Sequence, residues 1–172
     1  MAANGFDVWF LDGFRSTPEL SFAVRYKKCS CAIMVTASHN PPSDNAVKVY
    51  GSTGGQLLSP HDQGVIDCVM AVQDIRRIPF DEGLRSGRIR YCQQEVDAAF
   101  LKAVVAQSRP GPRNLKIIYS PLHGVGASAV LPALEAAGFR DVELFAPHAA
   151  PDPDFPNVPN HVANPENPRV FD

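Results

Sequence analysis

Leu115-Lys116-Ile117-Ile118-Tyr119, the loop from Pro121 to Gly126, Ala127 to Ala137 and Asp141-Val142-Glu143-Leu144-Phe145 follow one another and decide the fold class. The first and last runs are apolar and short, and they read as strands. The loop carries proline and glycine, which break regular structure. The Ala127–Ala137 stretch is a helix that Gly138 ends, since glycine takes the left-handed cap conformation without strain. Pro132 should kink it. Strand, helix and strand in this order form a crossover unit, whose strands lie parallel beneath the helix. The predicted class is therefore α/β, with mixed, largely parallel sheets flanked by helices.

The same alternation runs upstream. Phe6 to Leu11 is apolar and aromatic and predicts a buried strand. Thr17-Pro18-Glu19-Leu20 opens a helix, with Thr17 as N-cap, Pro18 in the first turn and Glu19 near the positive end of the dipole. Lys27 and Lys28 suit its last turn. Ala32 to Val35 is the next strand, Val47 to Tyr50 another, and Gly51 to Gly55 a turn with Gln56-Leu57-Leu58 as the returning arm. Ser59-Pro60 begins a helix carrying Val65, Ile66, Val69 and Met70. A further helix runs from about Gln94 to Gln107. Ser108 to Arg113 is a linker by composition. The expected division is residues 1–109, a linker at 110–113, and residues 114–172. From Pro147 to Pro168 the chain holds seven prolines and several asparagines. Loops of that length are functional or disordered. Both ends read as cut: a strand opens the chain with nothing before it to pack on, and Asn164 to Asp172 is a loop starting a helix. The fold is expected to be incomplete.

Composition narrows the function. The chain is 45% hydrophobic and 20% charged, as a soluble globular protein is, and its net charge of −2 gives no footprint for nucleic acid. No apolar run approaches the ~20 residues that span a bilayer, and no signal peptide precedes the first strand. These features predict a cytoplasmic protein with no nucleic-acid or membrane partner. Cys29, Cys31, Cys68 and Cys92 lack zinc-site spacing and read as reduced, mostly buried thiols.

The chemistry concentrates in Thr36-Ala37-Ser38-His39-Asn40-Pro41-Pro42. Two prolines forbid helix or strand, so Ser38 sits on a stiff loop at a strand end. A hydroxyl held in one geometry is suited to reaction. Acyl transfer would need a Gly-x-Ser-x-Gly elbow or a histidine brought from elsewhere. His39 is the next residue, and adjacent side chains diverge, which makes it a poor base for Ser38. Phosphoryl transfer needs cations and donors around phosphate oxygens. His39, Asn40 and Lys48 supply those types. A serine that only satisfies nearby backbone N–H groups is the bland alternative. Arg15 and Ser16 read as a solvated turn, His61 as a surface residue, and Arg76-Arg77 with Arg85, Arg88 and Arg90 as a solvated face. His123 either faces the cleft or caps its loop. No role is read for His148 or His161.

This heptapeptide, followed by Asn45 and Lys48-Val49-Tyr50, resembles the catalytic-serine signature of the α-D-phosphohexomutases, the phosphoglucomutases and phosphomannomutases. Thr17-Pro18-Glu19-Leu20, Gly54-Gly55-Gln56, Pro121-Leu122-His123-Gly124-Val125-Gly126, Asp152-Pro153-Asp154-Phe155-Pro156 and Asn164-Pro165-Glu166-Asn167-Pro168 resemble further family segments. The resemblance implies a phosphohexomutase-like fold covering the end of domain I and the start of domain II. It implies Ser38 as phosphoryl carrier, His39 and Lys48 as catalytic partners, and Asn40 and His123 as phosphate or substrate contacts. It also implies a sugar phosphate as substrate, a hexose 1,6-bisphosphate as activator, and Mg²⁺ bound through the Ser38 phosphate. The family's Asp-x-Asp-x-Asp-Arg metal loop is not in this sequence. Asp152-Pro153-Asp154 offers only two carboxylates around a stiff proline. The expectation is a truncated piece with no appreciable turnover by itself. The alternatives are a non-catalytic remnant that binds sugar phosphate or a partner chain, and a hydrolase using Ser38.

Overall fold

The predicted crossover unit forms. In the computed structural model, which describes residues 1–171, β5 (Lys116–Tyr119) pairs in parallel with β6 (Asp141–Leu144), Lys116 opposite Asp141 and Tyr119 opposite Leu144. Asp172, the last residue of the segment read as a nascent helix, lies outside the described residues. α5 (Ala127–Ala136) joins the two strands and runs on through Pro132. Gly138 ends it at φ 94°. Arg113, expected in a linker, stacks over the Phe139 ring and donates from Nε to the Ala137 carbonyl at 2.9 Å. The C-terminus of α5 is thereby capped by a cation, which its dipole favours.

The upstream half contains β1 (Val8–Phe10), α1 (Thr17–Tyr26), β2 (Cys31–Val35), β3 (Val47–Gly51), α2 (His61–Met70), α3 (Phe80–Arg85), β4 (Ile89–Tyr91) and α4 (Gln93–Val105). β1 pairs in parallel with β4, and β2 pairs antiparallel with β3. The fold is thus mixed α/β, as expected, with three two-stranded sheets among the described residues, two of them parallel. Ala23, Cys92 and the fully buried Val96 form a small core with Leu11 and Phe22. Phe22 also meets Phe100 edge to face at 5.5 Å, tying α1 to α4.

Several expectations need correction. β1 is not buried: Trp9 is 37% and Phe10 38% exposed, because β4 is the strand's one paired neighbour. The N-cap of α1 is Ser16, not Thr17. Its carbonyl accepts the N–H groups of Glu19 and Leu20 at 3.1 and 3.2 Å, and no side-chain cap forms. Lys27 is the C-cap and Lys28 lies beyond it. The returning arm at Gln56 makes one bridge to Tyr50 rather than a strand. Cys31 and Cys68 are exposed and Cys29 is half-buried, so Cys92 is the buried thiol of the four. Cys31 opens an edge strand, and α2 buries none of its residues. Burial raises the thiol pKa of Cys29 and Cys92 above the ordinary value.

The proline-rich tail folds into a cluster rather than running extended. Phe155, Val158, Ala163 and Val170 pack with Leu122 into a core of their own. Short 3₁₀ turns at Ala146–His148, Pro159–His161 and Pro168–Phe171 fold the tail back onto the loop after β5.

Candidate active site

β2 delivers the Ser38 loop. Its last ladder contact is the Thr36 N–H donating to the Ala46 carbonyl at 3.0 Å. The chain then turns sharply. The Ser38 N–H donates to Thr36 Oγ1 at 3.0 Å and the Asn40 N–H to the Ala37 carbonyl at 3.2 Å. Pro41 permits one more turn, closed by the Asp44 N–H on the Pro41 carbonyl at 2.9 Å. Within this loop Ser38 is held at φ 60°. A non-glycine residue in that region carries strain of about 1–3 kcal/mol, and such residues gather at functional sites.

The strained turn brings Ser38 and His39 together. Ser38 Oγ lies 3.5 Å from His39 Nδ1, so the neighbours do not diverge as expected. The separation is longer than a normal O–H···N hydrogen bond, and the hydroxyl stays exposed. The Asn40 side chain donates to Asp44 Oδ2 at 3.2 Å, and Ser43 Oγ donates to Asp44 Oδ1 at 3.3 Å. Asp44 therefore orients the Asn40 amide, a role the motif alone did not reveal. Lys48 stands on β3 opposite Met34, four residues before Ser38 along the paired strand. The hairpin is pinned to α1 by Ser21 Oγ donating to the Gly54 carbonyl at 2.6 Å. Gly54 sits at φ 81°, and a Cβ there would lie 2.6 Å from the Ser21 carbonyl oxygen. Only glycine permits this approach.

Arg15 is not a solvated turn residue. Its guanidinium forks onto Asp97, Nε to Oδ1 at 2.9 Å and Nη2 to Oδ2 at 2.7 Å. Glu19, 2% exposed, lies 3.9 Å from the same guanidinium, and its Oε2 has no partner. Burial, then its hydrogen bond with Asp97, pushes the Glu19 carboxyl up to about 7. The Arg15 hydrogen bond holds Asp97 below the usual carboxylate range. Arg15 is thus spent on joining α1 to α4 and is not a free phosphate ligand.

His123 lies in the loop after β5 and is buried. Its Nδ1 donates to the Ala150 carbonyl at 2.9 Å, and its Nε2 accepts the Asn157 N–H at 3.4 Å. Its backbone N–H and carbonyl are also engaged, by His148 and Asp152. Leu122 and His123 both have positive φ, 49° and 61°. His148, for which no role was read, completes the arrangement: Nδ1 takes the Ser120 hydroxyl at 2.9 Å and Nε2 donates to the Asn157 carbonyl at 3.1 Å. With both ring nitrogens on protein partners, His123 locks the loop to the tail and has none left for a phosphate. Gly126 follows because the Tyr119 hydroxyl occupies the space a Cβ would need. His161 donates to the Asp154 carbonyl at 2.8 Å.

No group of three or more His, Cys, Asp or Glu residues suited to a metal ion occurs among the described residues. Asp152 spends Oδ1 on the Asp154 N–H at 2.9 Å, which closes a local turn. The described residues do not by themselves fit a Mg²⁺ site, which wants one or two carboxylates held with phosphate oxygens.

Two family models match. The phosphoglucomutase/phosphomannomutase alpha/beta/alpha domain I model covers residues 1–76, and the domain II model of the same family covers residues 98–172. Curated phosphoglucomutases from Staphylococcus epidermidis and Staphylococcus saprophyticus are 35% and 32% identical over 100% and 99% of this chain. The chain spans about a third of their length, 32% and 31%. A crystal structure assigned as a phosphomannomutase from Thermus thermophilus superposes with a TM-score of 0.65 at 25% identity, over 93% of this chain and 36% of that one.

Proposed function

The chain belongs to the phosphoglucomutase/phosphomannomutase family, and from that premise we propose that it carries the phosphoserine half of a phosphohexomutase site. Ser38 is the carrier. In the forward half-reaction the bond from phosphorus to Ser38 Oγ breaks as a sugar hydroxyl bonds to phosphorus, giving a hexose 1,6-bisphosphate. The bisphosphate turns round, its other phosphoryl group passes back to Ser38, and the isomeric monophosphate leaves. The observation that supports this most strongly is the strained turn that exposes the Ser38 hydroxyl with His39 Nδ1 3.5 Å away.

His39 and Lys48 are the residues assigned to charge and proton handling. A phosphoserine carries about −1.5 to −2 charge near neutral pH and needs cations and donors beside it. The sugar hydroxyl must lose a proton as it attacks, and the oxygen leaving phosphorus must gain one. Asn40, oriented by Asp44, is a donor for phosphate oxygen. His123 is a positioning residue that holds the loop after β5. The division at residues 110–113 belongs to the same reading, as do the cytoplasmic setting and the dependence of the whole enzyme on Mg²⁺ and bisphosphate. Among the described residues no carboxylate cluster is present to hold that metal. This chain alone is expected to turn over negligibly, while Ser38 accepts one phosphoryl group from glucose 1,6-bisphosphate.

Intact-mass measurement after incubation with that bisphosphate tests the reading. One added phosphate, mapped to Ser38 and absent in Ser38→Ala, is the expected result. An unmodified chain with an intact circular dichroism spectrum would support the non-catalytic alternative, and fluorophosphonate labelling of Ser38 the hydrolase.

A further inference from the structure

Ser38 stands at φ 60°, and its backbone N–H is already committed. The acceptor is the Thr36 hydroxyl, 3.0 Å away and two residues earlier in the chain. Thr36 is itself anchored: its own N–H donates to the Ala46 carbonyl at 3.0 Å, at the end of the β2–β3 ladder. Thr36 is half-buried where Ser38 is exposed. The Asn40 N–H, on the other side of Ser38, is spent as well, on the Ala37 carbonyl at 3.2 Å. Backbone donors on both sides of the carrier oxygen thus serve the loop itself.

That commitment matters once a phosphate sits on Ser38 Oγ. A serine side chain readily bonds its own backbone N–H. An oxyanion makes such a bond shorter and roughly twice as strong as a neutral acceptor does. N–H groups around a left-handed residue are also the material of anion-binding concavities. With the Ser38 N–H free, the phosphate would find a donor within its own residue. That bond would stabilise the charged resting carrier and weaken as phosphorus leaves Oγ. Interactions stronger in the transition state accelerate a step, and one weighted toward the ground state slows it.

We propose that Thr36 is a positioning residue of the phosphoryl carrier: its hydroxyl withholds the Ser38 N–H from the phosphate, so that side chains meet the phosphate charge instead. The proposal rests on the reading of Ser38 as carrier and adds the residue that decides which donors the phosphate meets. The side chains left to it are His39, with Nδ1 3.5 Å from Ser38 Oγ, Asn40, held by Asp44 at 3.2 Å, and Lys48 on the paired strand. Threonine suits the task. Branching at Cβ restricts χ1, so the oxygen is aimed with little loss of rotamer freedom. Valine has the same shape without the acceptor, and serine has the acceptor without the methyl group.

Phosphoserine incorporated biosynthetically at position 38 of the full 172-residue chain supplies the phosphate whether or not Ser38 accepts one from a sugar bisphosphate. Failure of the carrier reading, seen as no phosphate taken from glucose 1,6-bisphosphate, is thereby separate from failure of this one. Phosphorus and amide-proton NMR are followed across the second phosphate ionisation, near pH ~6. With Thr36 in place, the amide proton of residue 38 should not move with that ionisation. In Thr36→Val it should shift downfield with it, and the phosphate should ionise roughly one unit lower, the worth of one hydrogen bond to a charged group. Thr36→Ser should restore the first behaviour. A residue that merely stiffened the loop would leave the phosphate ionisation unmoved. An amide that follows the phosphate while Thr36 is present overturns the proposal without recourse to any variant. So does a phosphate ionisation in Thr36→Val equal to that with threonine, the circular dichroism spectrum being kept.

Discussion

Two strand–helix–strand units stand in this chain, and they end differently. In β5–α5–β6 the strands are neighbours, paired in parallel through four residues. In β1–α1–β2 the strands part, and a cavity lies between them. The local grammar is alike: an apolar run, a turn, a helix and a second apolar run. The first unit is closed further by the tail, whose Phe155 and Val158 bury Leu122 while His123 and His148 take up backbone groups. Both units leave apolar strand side chains in water, Ile118 at 63% in the first and Ile33 at 46% and Val35 at 63% in the second, so the difference lies in strand adjacency and not in exposure. Local sequence makes the elements; sheet closure depends on which strand occupies the adjacent edge.

The comparison can be broken most forcefully at Phe155. Phe155→Ala should cost about 3–5 kcal/mol in a denaturant titration, because it hollows the core that seals the closed unit. Gly126→Ala comes next. A Cβ there meets the Tyr119 hydroxyl, and overpacking of this kind costs roughly 1–3 kcal/mol. An unchanged midpoint would show that the loop after β5 is looser than its hydrogen bonds indicate.

Glu19 sharpens the comparison from the other side, since it sits where α1 meets α4. Its carboxyl is raised to about 7 from the ordinary 4.5. A raised carboxyl contributes stability that is complete below the unfolded value and is lost as pH climbs through the folded one. Stability from this group should therefore decline between pH ~4.5 and ~7. Asp97, which is lowered, contributes in the opposite sense at more acid pH. Glu19→Gln should remove the decline and raise the melting temperature at pH 8 by about 2–4 °C, with little change at pH 5. Scanning calorimetry at the two pH values reads this. The smallest effect is expected on the open unit's edge: Val35→Thr should change stability by no more than about 0.5 kcal/mol, since its side chain is already in water.

How far the residues could be read follows the same division. Strand and helix positions around β2, α1, β5 and α5 were legible because periodicity and breakers act within a few residues. Proline and glycine similarly marked the Ser38 loop. α3 and β4 were missed: they are short, and β4 becomes a strand through pairing with β1, some eighty residues earlier. Arg15 looked solvated because its partner Asp97 lies on α4, and His148 looked idle because Ser120 and Asn157 reach it only in three dimensions.

The sequence by itself determined the order of elements, the stiff Ser38 loop and the family signature it carries. Each rests on steric and hydrogen-bonding rules that operate between near neighbours. The tertiary structure decided the rest: the approach of His39 to Ser38, the commitment of His123 to Ala150 and Asn157, the burial of Glu19, and the parting of β1 from β2. Burial and strand adjacency are properties of surfaces meeting across the chain, and a local pattern shows that a surface is apolar without showing what will cover it.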